Sequence, residues 1–183
     1  MLSRTAQSLQ ERLLALSGAN STQFLTWIDA LSRDDEAIFG LIELMGLDNE
    51  PRCAQYASHL MLHIARRVPR RVQPNYNLLL DHVLISKNIS VQRNGLGALI
   101  CMPLLDYRLS ELLDWLLAIL QQPKSTAGLV LYAVNKLAQF HQNYPDLRNE
   151  LEQSIELRAT LTGSKRDLDY FTQVLRGKKK IKG

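Results

Sequence analysis

Apolar residues recur along this chain at intervals of three and four, and no stretch alternates apolar with polar as a half-buried strand would. The periodicity predicts about ten helices. The first, Thr5–Leu16, carries Leu9, Leu13, Leu14 and Leu16 on one side and stops at Gly18. Ser21 or Thr22 is then placed to cap Phe24–Leu31, whose stripe is Phe24, Leu25, Ile28 and Leu31. Asp34, Asp35 and Glu36 gather at the start of Asp35–Met45, where the helix dipole favours negative charge. Pro51 opens the next helix, expected to bury Cys53, Ala57, Leu60, Met61, Ile64 and Val68. Two prolines make Val68–Pro74 the expected longest non-helical connector and the candidate for a bend. Helices follow at Asn75–Ser86 and Ser90–Met102, with Pro103 stopping or kinking the second, then at Asp106–Gln121 and Pro123–Asn143. Asp146–Thr160, a break at Gly163 and Ser164, and a short Lys165–Leu175 complete the set. Trp27 and Trp115 fall within apolar stripes and are expected in the core.

Three of these helices look alike. Glu50–Arg66, Ser90–Met102 and Ser125–Gln142 each open on a turn signal, are rich in small residues, and follow a shorter amphipathic helix (Asp35–Met45, Asn75–Ser86 and Leu109–Leu120). Their openings near Pro51, Val91 and Thr126 lie about 35–40 residues apart, the interval of a helix-pair repeat. Such pairs bury their apolar faces on their neighbours, and the expected fold is an all-α solenoid. Residues 1–175 are expected to form a single helical-repeat domain, and residues 176–183 a flexible basic tail.

The segment Val91–Leu99, with Gly95 and Gly97 inside it, resembles the second helix of HEAT repeats, and Pro51–Ala57 and Thr126–Ala133 are looser copies. The resemblance covers roughly residues 35–160. It implies a right-handed α-α superhelix of the HEAT and armadillo type, with second helices lining a concave face. It also implies a non-enzymatic scaffold whose partner is a protein or peptide, acting as a monomer or weak homodimer without a cofactor. Tyr144–Leu151 and the lysine tail resemble the end of short bacterial HEAT-like proteins, some of which carry the label adenylosuccinate lyase by transfer. This chain lacks the Ser-rich, Met-Pro-Lys loop of that enzyme, so the likeness implies no lyase activity.

Charge changes the picture only once it is located. The formal net charge of the 183 residues is +4, yet Arg176, Lys178, Lys179, Lys180 and Lys182 supply all of it. The body is near neutral, which argues against a wholly basic nucleic-acid-binding surface. No apolar run approaches the roughly 20 residues of a membrane span. The N-terminus lacks the apolar core of a secretory signal. Cys53 and Cys101 stand alone on apolar faces and are expected as inert thiols in a reduced, cytoplasmic compartment.

Candidate chemistry concentrates on the helix after Pro51. His59 and His63 have the one-turn spacing that metals use, but Leu60 replaces the glutamate of a zincin motif and no third ligand follows nearby. With Arg52, Tyr56 and Arg66 or Arg67 they form a polar stripe off the apolar face. Tyr132, Asn135, Lys136 and Gln139 are expected to continue it on a later second helix, so the partner-binding set is Arg52, Tyr56, His59, His63, Arg67, Tyr132, Asn135 and Gln139. The alternative ligand is nucleic acid, gripped by Arg66, Arg67, Arg70 and Arg71 with Lys178, Lys179 and Lys180, remotely like the HEAT-like DNA glycosylases. No Gly-rich phosphate loop, nucleophile elbow or spaced acid–base pair points to catalysis.

Overall fold

The structure, a computed structural model, describes residues 2–15 and 21–178, and of residues 15, 21, 22 and 165–167 the backbone alone. Leu16, Gly18, Lys179 and Lys180, and the side chains of Ser21 and Thr22, therefore lie outside the described residues. Every regular element among the described residues is helical. In order these are α1 (Arg4–Ala15), α2 (Ser21–Leu31), α3 (Asp35–Met45), α4 (Pro51–Arg67), the single turn α5 (Pro69–Val72), α6 (Tyr76–Ile85) and α7 (Ile89–Ile100). There follow α8 (Leu109–Gln121), α9 (Ala127–Asn143), α10 (Arg148–Thr162) and α11 (Lys165–Leu175). Contacts divide the chain into two compact units, Met1–Met102 and Pro103–Gly183.

In the first unit α3 pairs with α4 and α6 with α7, while α1 packs on α3 and α4, and α2 on α4 and α3. First helices pack on first helices (α1 on α3, α3 on α6) and second on second (α2 on α4, α4 along α7). This is the two-layer stacking of an α-solenoid. Caps fix the helix starts. Ser3 accepts from the Ala6 N–H at 3.1 Å while its own hydroxyl donates to Glu43 of α3, which ties the start of α1 to its neighbour. Asp34 accepts from the Glu36 and Ala37 N–H groups at 3.0 and 3.1 Å. Asn88 caps α7 through the Ser90 N–H at 2.9 Å, and its amide donates to the Pro51 carbonyl at 3.1 Å. One side chain thus aligns the starts of two second helices.

Two glycines leave room for a neighbouring side chain. A Cβ at Gly95 would stand 2.3 Å from the Val83 side chain, so α6 and α7 need that position bare. At Gly46 a Cβ would stand 2.3 Å from the His82 ring. Cys53 is buried, and that burial, with Glu50 nearby, raises its thiol to about 11, so it stays protonated at neutral pH. Cys101 is half-buried.

Several expectations need correction. The connector over Val68–Pro74 is helical: α5 runs straight into a 3-10 turn at Gln73–Asn75 and then α6. Pro69 and Pro74 each sit in the first turn of their segment, where the missing N–H costs nothing. Val72 is wholly buried, and Arg71 binds back to the preceding pair, so the segment is packed structure. Val68 is only half-buried, as are Trp27 and Trp115. Trp27 lies under the Arg12 guanidinium, 4.6 Å from its ring centre, so its exposed face carries a cation.

In the second unit α8 pairs with α9 and α10 with α11, with α8 on α10 and α9 on α11. Helix α8 starts at Leu109, as the repeat reading places it and three residues after Asp106, because Arg108 adopts a left-handed conformation (φ 48°) and ends the preceding turn. Helix α9 starts after a turn closed by the Ser125 N–H on the Gln122 carbonyl. Gly163, at φ 67°, stops α10. Gly177, at φ 68°, stops α11, with the Lys178 N–H on the Gln173 carbonyl and the Gly177 N–H on Val174. Arg176 was expected in the flexible tail. Instead it forks onto Glu152 of α10 at 2.9 and 2.7 Å, and with His141 beside it that carboxyl is held down at about 2.

Arg158 is a buried polar group that ties two helices of this unit together. Only 6 % exposed, it reaches from α10 to the Leu120 carbonyl (3.2 Å) and the Gln122 carbonyl, capping the end of α8. Charged hydrogen bonds in such a setting are worth about 2 kcal/mol. Arg158→Ala should lower the urea-unfolding free energy by about that amount, with Arg158→Lys intermediate; equal stability of both variants with wild type would refute the capping role.

Candidate functional site

Helix α4 has two sides of unlike chemistry. Cys53, Ala57, Leu60, Met61 and Ile64 turn inward and are buried. Arg52, Tyr56, His59, His63 and Arg66 follow one another at intervals of four and three along the opposite flank, where Arg52, His59 and Arg66 are exposed and Tyr56 and His63 half-buried. These five side chains form one row on α4.

Buried polar residues behind the stripe set its position against α7. Ser58 is fully buried and Asn94 nearly so, at 2 % exposure. The Asn94 amide donates to the Ser58 hydroxyl at 3.1 Å, and that hydroxyl donates to the Gln55 carbonyl at 2.8 Å. A pair buried in this way must stay bonded, because an orphaned partner costs about 1–3 kcal/mol. Arg93 of α7 extends the network outward, its Nε donating to Asn94 Oδ1 at 3.3 Å, and is itself exposed beside the stripe.

Phe24 of α2 closes one side. Its ring stacks on His59, with centroids 4.9 Å apart and 23° between planes, and meets His63 edge-on at 5.4 Å. The two imidazoles meet edge to face at 4.8 Å. Burial, then Arg93 and Arg66, lower the pKa of His59; burial, then His59, Arg66 and Arg67, lower that of His63. Both rings are neutral at pH 7 and behave as flat, weakly polar surfaces. Among the described residues no group of three His, Cys, Asp or Glu side chains is placed to hold a metal ion.

The arginines divide by task. Arg67 pairs with Asp29 of α2. Arg71 donates to Asp35 at 2.8 Å and to the Ser32 carbonyl at 2.9 Å, capping the end of α2. Arg67 and Arg71, two of the four guanidinium groups of the phosphate-binding alternative, are thus engaged within the chain; Arg66, Arg67 and Arg70 are exposed. Lys178 is exposed as well.

The second unit holds the remaining candidates on α9. Tyr132, Asn135 and Gln139 are half-buried. Lys136, expected with them on the polar stripe, is instead fully buried. It lies one turn from both Ala133 and Phe140, on the side of α9 that the packing encloses. Sequence reasoning also missed Phe24, which reads as an ordinary member of α2's apolar stripe; no local pattern marks it as the partner of two imidazoles.

Two other features carry polar groups. A cleft of about 350 Å³ opens beside the turns that follow α3 and α6, lined in part by Met45, Leu47, Asp48 and Lys87. His82, whose Nδ1 is buried without a hydrogen-bond partner, packs on Gly46; burial lowers its pKa against the opposing pull of Asp81, Asp48 and Glu43. Among the described residues, no helix is long and apolar enough to cross a membrane.

A family model described as HEAT repeat domain matches residues 9–164. No curated protein and no solved structure matches the chain.

The lowered imidazole values have a thermodynamic consequence. The unfolded chain takes up protons near the ordinary value of 6.5, before the folded chain does. The contribution of the neutral rings is therefore complete above that value and is lost as pH falls through the lowered ones. Urea midpoints should drop between about pH 7.5 and about pH 5.5, and His59→Gln with His63→Gln should reduce the slope. An unchanged slope would assign the pH dependence to His82 instead.

Proposed function

The chain belongs to the HEAT repeat domain family, and on that premise we propose that it is a scaffold that docks a protein partner on its second helices and performs no chemistry of its own. The docking residues are Arg52, Tyr56, His59, His63 and Arg67 in the first unit and Tyr132, Asn135 and Gln139 in the second. The observation that carries this reading is the α4 stripe: tyrosine, imidazole and guanidinium groups in one row, backed by a buried Ser58–Asn94 bond. Tyrosine and arginine are the residue types that dominate binding energy at protein interfaces, because they combine contact area with hydrogen bonding. A backing that keeps them in place before binding lowers the ordering cost. Arg67 enters as the positioning member, since its pair with Asp29 sets where α2 and Phe24 lie.

Nucleic acid is the competing ligand. Engagement of Arg67 with Asp29 and of Arg71 with Asp35 leaves fewer cations for a phosphate backbone, which favours the protein reading.

The test places a photo-activated cross-linker at Gln55, exposed beside the stripe, and at Glu11 on α1 as the control, in extract of the source cells. A discrete protein adduct is expected from position 55 only, lost when Arg52→Ala and Tyr56→Ala are added. Identical adducts from both positions, or duplex DNA recovered in place of protein, would overturn the proposal.

A further inference from the structure

Charge in the first unit is sorted by layer. The first helices carry Glu11, Asp35, Glu36, Glu43 and Asp81 against Arg4 and Arg12. The second helices α4 and α7 carry Arg52, Arg66, Arg67 and Arg93 with two histidines, and neither contains a carboxylate. The single acid of α2, Asp29, is paired with Arg67. Such sorting is not needed for folding, since both layers expose polar flanks that mixed charges would serve equally well. Neither Arg52 nor Arg93 has a carboxylate partner among the described residues.

The positive field reaches the stripe itself, because Arg93 and Arg66 disfavour protonation of His59, and Arg66 and Arg67 that of His63. Between the guanidinium groups lie Tyr56, His59 and His63, neutral and partly aromatic. A surface of this kind attracts carboxylates at its edges and packs side chains at its centre. From Arg52 to His63 the helix rises about 16 Å, a length that about five residues of extended chain would span.

We infer that the α4–α7 face takes an acidic, extended segment of the partner protein, its carboxylates on Arg52 and Arg93 and its intervening side chains on Tyr56, His59 and His63. This rests on the protein-docking reading above and names the chemistry of what is docked. A duplex, whose charge repeats along two phosphate strands, would make little use of the neutral aromatic centre and would demand cations that Asp29 and Asp35 already hold.

The experiment measures fluorescence anisotropy of three labelled probes with the full chain at low salt: a decamer of glutamate, a decamer of lysine, and a short DNA duplex. The glutamate decamer should bind, weaken as salt rises, and weaken a further three- to tenfold or so with each of Arg52→Glu and Arg93→Glu. Lys124→Glu, on an exposed turn of the second unit, should leave it unchanged. Tyr56→Ala should weaken binding without altering its salt dependence, which a diffuse ion atmosphere would not produce. Absence of glutamate binding, or equal loss with Lys124→Glu, overturns the inference. Tighter binding of the duplex with the same arginine dependence also overturns it and assigns the face to nucleic acid. Self-association abolished by Arg52→Glu would give the face to a second copy's acidic layer instead. If the acidic probe fails while the position-55 adduct persists, only the partner's chemistry is wrong; if both fail, the face binds no protein.

Discussion

The hydrogen bond from Asn94 to Ser58 is the constraint on which the rest of the first unit turns. It joins α4 to α7 at a place where both side chains are shut away from water, so it has no cheap alternative in the folded state. An apolar seam alone tolerates sliding, because apolar contact is not directional. A buried polar pair permits one register. That register places Arg93 beside His59 and puts the α7 start under Asn88, which also holds the Pro51 carbonyl. Gly95, the residue after Asn94, leaves room for Val83 of α6 and so lets α6 pack closely on α7.

From the same constraint follows the division between structure and surface. The polar groups that hold helix ends are drawn from the neighbouring pair: Glu43 at the start of α1, Arg71 at the end of α2, and in the second unit Arg158 at the end of α8. Each satisfies carbonyls or N–H groups that a helix cannot satisfy by itself. A repeat protein depends on such borrowings, since each pair is too small to enclose its own core. What the borrowings leave on the second helices of the first unit is a row of arginine, tyrosine and histidine. The outer chemistry is thus what remains when the stacking interactions have taken their share.

The sequence made the fold legible to an unusual degree because amphipathic helices at a fixed interval admit few arrangements. Asp35–Met45 and Lys165–Leu175 match their expected limits, each bounded by polar or glycine signals. The expectation failed where local signals were ambiguous. Proline at Pro69 and Pro74 reads as a breaker, yet it serves equally as a first-turn residue, and only the burial of Val72 decides between them. Lys136 shows the limit for the site. Its spacing fits the polar stripe and the buried stripe alike, and the packing around α9 selects the second. Periodicity reports which residues share a face; it does not report how many faces a helix has covered.

The central claim is that α4 and α7 are held in one register by a specific buried bond. A double-mutant cycle on Ser58→Ala and Asn94→Ala, read by urea unfolding of the full chain, measures that bond most directly. The structure predicts single variants that are each destabilised and a coupling energy of about 1 kcal/mol. Additive effects, with coupling below about 0.3 kcal/mol, would mean that the seam is held by apolar contact alone and that the register of the stripe is not fixed by this pair.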